Sequence, residues 1–168
     1  MNELVEHIGQ WDGKSAAAIG AVYDQFGDDP AFAATLVDLC ALPPLQKGAT
    51  WLLKRHLEQG NALDDAQTAQ LFAQLGELKH WASQLHVLQS LPYLTIPASQ
   101  KAAVEAFVRA GLMQRKTFVR AWAYNGLYEL AVRYPEYRAE AEEAFVQALQ
   151  EESASVKARI RRIMKHGF

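Results

Sequence analysis

The chain has a single cysteine, Cys40, among 168 residues. One thiol excludes an internal disulfide, a paired-cysteine redox motif and a multi-cysteine zinc site. No apolar run approaches the roughly 18 residues that a membrane span needs. Neither sign of charge dominates: 17 Lys and Arg stand against 19 Asp and Glu, a formal net charge of −2. The overall balance points to neither a nucleic-acid coat nor an acidic tail. Glycines are scattered singly, so there is no GxxxxGK or GxGxxG phosphate loop, and there is no GxSxG elbow. No two of the five histidines stand four residues apart, the spacing that lets two imidazoles share a metal on one helix face. The first residues, MNELVEHIGQ, hold Glu3 and Glu6 and no basic stretch, unlike a secretion signal. The expectation is a cytoplasmic protein with no catalytic residues, cofactor or metal, no membrane partner and no identified small-molecule substrate.

What is present reads as helix. β-Branched residues are sparse and Ala, Leu, Gln and Glu abundant, and no segment alternates like a half-buried strand. Asp29-Pro30, Ile96-Pro97 and Tyr134-Pro135 look like helix openings, and Pro43-Pro44 breaks one helix before another. Gly13, Gly27, Gly60 and Gly167 stand where helices should stop. Ser153 can cap the last helix, and Asp64 or Asn61 the fifth. These marks predict about ten helices, near 2–11, 14–26, 30–41, 44–58, 64–75, 78–90, 97–112, 115–133, 135–150 and 153–166. The links are short, and no stretch reads as a linker, so 1–168 is expected to be one domain.

The helices pair, and the second member of each pair repeats an apolar scheme. Val119, Trp122, Ala123, Gly126, Leu127 and Leu130 form one face of a helix. Val156, Ile160, Ile163 and Met164 repeat it, as do Leu45, Ala49, Leu52 and Leu53, and Leu78, Trp81, Ala82, Leu85 and Leu88. A weaker copy starts at Ser15. The starts at 15, 45, 78, 119 and 156 have the spacing of stacked helical hairpins. One hairpin cannot bury its apolar face alone, but a stack of five can. Gly126, unfavourable inside a helix, is explained by a close helix contact.

The stretch FVRAWAYNGLYELAVRY at 118–134 resembles the second helix of a HEAT repeat, and SVKARIRRIMK at 155–165 is similar to another. The resemblance to the HEAT-repeat, armadillo-like family is closest over 115–166. It implies an all-α fold, a right-handed α-α superhelix (solenoid) of about five HEAT-like hairpins. The tetratricopeptide repeat is the alternative, although its Trp-Leu-Gly-Tyr pattern is missing. HEAT repeats often place an aspartate before the Val-Arg pair, which forms a ladder with basic residues of neighbouring repeats. Here Gln114, Arg115 and Lys116 fill that turn, and only Glu151 and Glu152 precede Val156, so no Asp–Arg ladder is expected.

Such a stack implies a binding face along its second helices. Offsets of one, five and nine from each apolar start should point away from the core. They read Gln46, Thr50 and Lys54; Lys79, Ser83 and Val87; Arg120, Tyr124 and Tyr128; Lys157, Arg161 and Lys165. The expected function is a non-catalytic scaffold or adaptor for a protein segment, held by Lys54, Lys79, Arg120, Tyr124, Tyr128, Lys157, Arg161 and Lys165. The plainer reading is that Arg120 bonds carbonyls at its own repeat junction and the last helix merely carries cations at its C-terminal end. The alternative function is a nucleic-acid-binding module. Some HEAT-like proteins are DNA glycosylases that grip DNA with tryptophan and basic residues on the concave face. Trp51, at an outward offset beside Lys47, Lys54 and Arg55, is the candidate contact, with Arg162. Trp81 and Trp122 take core-facing offsets. Residues 153–168 carry five cations and no acid, which leaves −7 for residues 1–152.

Overall fold

The computed structural model describes all 168 residues and is all-α, with ten helices and no strand. They are α1 (Asn2–Gln10), α2 (Ala16–Phe26), α3 (Phe32–Leu39), α4 (Gln46–Glu58), α5 (Asp65–Ala73), α6 (Trp81–Ser90), α7 (Lys101–Leu112), α8 (Thr117–Arg133), α9 (Arg138–Glu151) and α10 (Ala154–His166). Single 3-10 turns at Leu75–Glu77, Leu91–Tyr93, Ala98–Gln100 and Pro135–Tyr137 sit between them. Each helix falls within three residues of its expected bounds, except at the start of α7, which lies four residues later. At Pro97 and Pro135 the chain opens a 3-10 turn first, because proline fixes φ but donates no N–H. At Asp29 the carboxylate accepts from Ala31 N at 2.7 Å, capping a turn two residues ahead of α3.

The chain divides into two compact units, Met1–Leu94 and Thr95–Phe168. In the first, α4 packs against α1, α2, α3 and α6, and α3 also meets α5. Leu36, Leu52, Leu53, Leu57, Phe32 and Phe72 are fully buried there. In the second, α8 packs against α7, α9 and α10, and α9 meets α10. Val104, Val108, Val119, Leu130, Val156 and Ile160 form its centre. Gly126 is buried on α8.

The caps are local and specific. Asp64 closes a capping box with Gln67, the carboxylate accepting from Gln67 N at 2.8 Å and the Gln67 side chain accepting from Asp64 N at 3.0 Å. Asn61 instead donates from Nδ2 to His56 O at 3.1 Å, closing α4. Gly60 follows at φ +91°, a backbone that a β-carbon would strain.

Gly48 has a different reason. A β-carbon there would stand 2.7 Å from Ile8 Cγ2, 3.5 Å from Trp11 and 3.7 Å from Ile19. Side chains of α1 and α2 occupy the space that a side chain on α4 would fill. Replacing glycine by alanine inside a helix normally stabilises by up to about 1 kcal/mol. Gly48→Ala is expected to do the reverse and destabilise by about 1–3 kcal/mol, because a packed core must shift. Urea midpoints of the two proteins check the sign.

Candidate functional site

The face expected on α4 and α6 is not open. Gln46, Thr50, Ser83 and Val87 are all buried. α4 has neighbours on several sides, and α6 packs directly on it, so this side of both helices is interior. The polar groups are satisfied from within. Gln46 Nε2 donates to Glu77 O at 2.9 Å, and Thr50 Oγ1 donates to Gln46 O at 2.8 Å. That spends the only hydroxyl proton of Thr50, so His86 Nδ1–H donates to Thr50 Oγ1, 3.0 Å away. Ser83 Oγ is buried without a partner. Burial, aided by the charges of Lys54, Lys47 and His80, pushes His86 down to about 3, so it is neutral. His56 is buried on α4 against Phe32 and Tyr23, and burial lowers it too. The two histidines stand 30 residues apart, one on each of two helices that pack together.

The face expected on α8 turns toward the next hairpin. Arg120 donates from Nε and Nη2 to the two Glu152 oxygens at 2.9 and 3.0 Å. Its Nη1 donates to Gln114 O and Arg115 O at 2.8 and 2.9 Å. Glu152, in the turn before α10, therefore ties α8 to the junction between α9 and α10. The guanidinium holds the Glu152 carboxyl below its ordinary value, and the carboxylate raises Arg120. The Tyr124 ring meets Phe145 edge-on, with centroids 6.5 Å apart. Tyr128 donates to Gly167 O at 2.9 Å and stacks on Phe168.

Other expected contacts are also engaged. Lys54 pairs with Glu58 at 3.0 Å, Lys79 donates to Gly76 O at 2.8 Å and Lys157 donates to Gln150 O at 3.2 Å. Arg55 is exposed and lies over the Tyr23 ring at 5.9 Å. Arg161, Arg162 and Lys165 are exposed, and no ion pair involves residues 153–168.

The carboxylates build junctions. Arg109 bridges Glu105 on its own helix, at 2.9 Å, and Glu140 on α9, at 2.5 Å. Tyr137 donates to Glu105 at 2.6 Å, and burial beside that carboxylate pushes it up to about 12. Asp12, Glu105, Glu136, Glu140 and Glu152 are all shifted downward by the donors they accept from. A general acid needs the opposite shift. Cys40 is buried and pushed up to about 12, a packed thiol rather than a nucleophile.

Four helices, α4, α6, α8 and α10, each carry one large, half-buried residue just before a buried one: Trp51–Leu52, Trp81–Ala82, Trp122–Ala123 and Arg159–Ile160. Trp81 and Trp122, expected to face the core, are half-buried, which is usual for a packed indole. Lys54 Nζ lies 6.0 Å from the Trp51 ring centroid. The Arg159 guanidinium lies 3.9 Å from the centroid of Trp122. Compared with protein-family models, curated proteins and solved structures, the chain matches none.

Proposed function

We propose that the chain is a non-catalytic scaffold that binds a protein segment along its second helices. In this reading its hairpins are HEAT-like repeats, wound as a right-handed α-α superhelix. The packing of alternate helices within each unit supports the repeats: α2 on α4, α4 on α6, α3 on α5 and α8 on α10. The observation that carries the function is the recurrent half-open tryptophan. Trp51, Trp81 and Trp122 each keep contact area at a corresponding place on their helices, the kind of aromatic anchor that protein interfaces favour. Lys54, Arg161 and Lys165 serve as rim cations, while Arg120, Tyr124 and Tyr128 brace the junction to α9.

The test is capture with the tagged chain from its source cell's lysate, with and without nuclease. Protein partners are expected to survive nuclease and to be lost with Trp51→Ala plus Trp81→Ala, while circular dichroism still shows a folded helical chain. A second reading rests on Trp51 with Lys54 and the exposed Arg55 on α4: nucleic-acid binding, with Arg162 on α10 as a further contact. Partners that vanish with nuclease would favour it.

A further inference from the structure

Arg159 occupies, on α10, the repeat position that tryptophan holds on α8. Its guanidinium lies on the Trp122 ring at 3.9 Å, and no carboxylate pairs with it. Arg162, one turn further along α10, is exposed and also unpaired. The two cations repel each other, and together with burial this lowers Arg159. Arg109, Arg120 and Arg133 of the same unit each hold a carboxylate, whereas the Arg159 guanidinium has only the indole. Phe118, one turn before Trp122 on the same side of α8, is 62% exposed. An uncovered aromatic ring one turn before Trp122, and two guanidiniums without a carboxylate, the first of them on Trp122 itself, therefore follow one another along α8 and α10.

From this juxtaposition we infer that Arg159, Arg162, Trp122 and Phe118 form a docking site for an acidic protein segment that carries an apolar residue beside its carboxylates. The inference rests on the scaffold reading and names the chemistry of its partner. Arg159 lying on the indole keeps its N–H edge free, the edge that takes a carboxylate with two parallel hydrogen bonds. Phe118 receives the neighbouring apolar side chain. The same geometry disfavours a nucleic acid. The face of Trp122 under Arg159 is already covered, so a base cannot stack there. The unpaired positive stretch is confined to α10, about 20 Å of helix. A short acidic segment matches that length.

The experiment uses the full chain and fluorescence anisotropy. The probes are a labelled twelve-residue peptide of alternating Glu and Phe or Leu, its Lys-for-Glu counterpart and a labelled oligothymidylate of twelve nucleotides. The acidic peptide is expected to bind and the basic one not to. Arg159→Gln plus Arg162→Gln should weaken binding at least tenfold, whereas Lys14→Gln plus Lys101→Gln, which removes as much charge elsewhere on the chain, should change it less than twofold. Arg159→Lys, which keeps the charge and the aliphatic stem but not the fork, should recover only part of the loss, and a melting curve of each variant confirms folding. Equal binding by the parent and the Arg159/Arg162 variant overturns the site, as does tighter binding of the oligothymidylate or no binding of the acidic peptide. If lysate partners are lost with the tryptophan variants but kept by the Arg159/Arg162 variant, the scaffold reading stands and this site falls.

Discussion

Arg120→Ala is expected to destabilise the protein by about 2–4 kcal/mol, the largest loss for any single charged residue in the chain. The reason is the company that Arg120 keeps. Its side chain is 21% exposed and that of Glu152 15% exposed, so water compensates little. Alanine would leave a half-buried carboxylate without its fork and strip the Gln114 and Arg115 carbonyls of a shared donor. Lysine should not rescue, because a point charge cannot serve two carbonyls and a bidentate carboxylate at once. Chemical denaturation of Arg120→Ala, Glu152→Gln and the double variant measures the coupling. A double variant as unstable as the sum of the singles would show that the two residues do not act together. Lys101→Ala supplies the contrast. Its pair with Glu136 is 32% and 54% exposed, and its loss should cost less than about 1 kcal/mol.

That ion pair also marks how far the sequence could be read. Helix number and positions followed from punctuation and periodicity, because Pro, Gly and Asp64 act through local geometry, although Ser153 stands at the start of α10 without a side-chain cap hydrogen bond. The Arg120–Glu152 pair did not follow, because it needs a distance between residues 32 apart in sequence. Glu152 is one methylene longer than an aspartate and reaches from the turn before α10. The buried face of α4 was not legible for a related reason. Gly48 was hard to see as a core position, since α1 supplies the apolar atoms that its own side chain lacks. The tyrosines of α8 were legible as a face of the helix but not as a covered one. Phe145 and Phe168 cover them, and both come from later in the chain.

The two buried histidines make stability depend on pH in a window that their shifts define. His86 is held neutral between α4 and α6, at about 3 against an ordinary 6.5. Above pH 6.5 both the folded and the unfolded chain have it neutral, so its contribution is fully present. As pH falls from 6.5 toward 3, the unfolded chain takes up a proton that the folded chain refuses. Stability is then lost, at up to about 1.4 kcal/mol per pH unit. His56, lowered in the same direction by burial, adds to the slope. Between pH 6.5 and 5 the carboxylates Asp12, Glu105, Glu136, Glu140 and Glu152 stay ionised in both states, because folding shifts all of them downward. The histidines therefore dominate that interval, with an expected loss of about 2 kcal/mol across it. Urea midpoints at several pH values should show the slope in the parent, a shallower slope in His86→Gln and a nearly flat line when His56→Gln is added. Identical slopes for the parent and His86→Gln would mean that the imidazole is protonated in the fold. Thr50 would then be accepting from an imidazolium buried beside Lys47 and Lys54, an arrangement that burial and like charge both oppose.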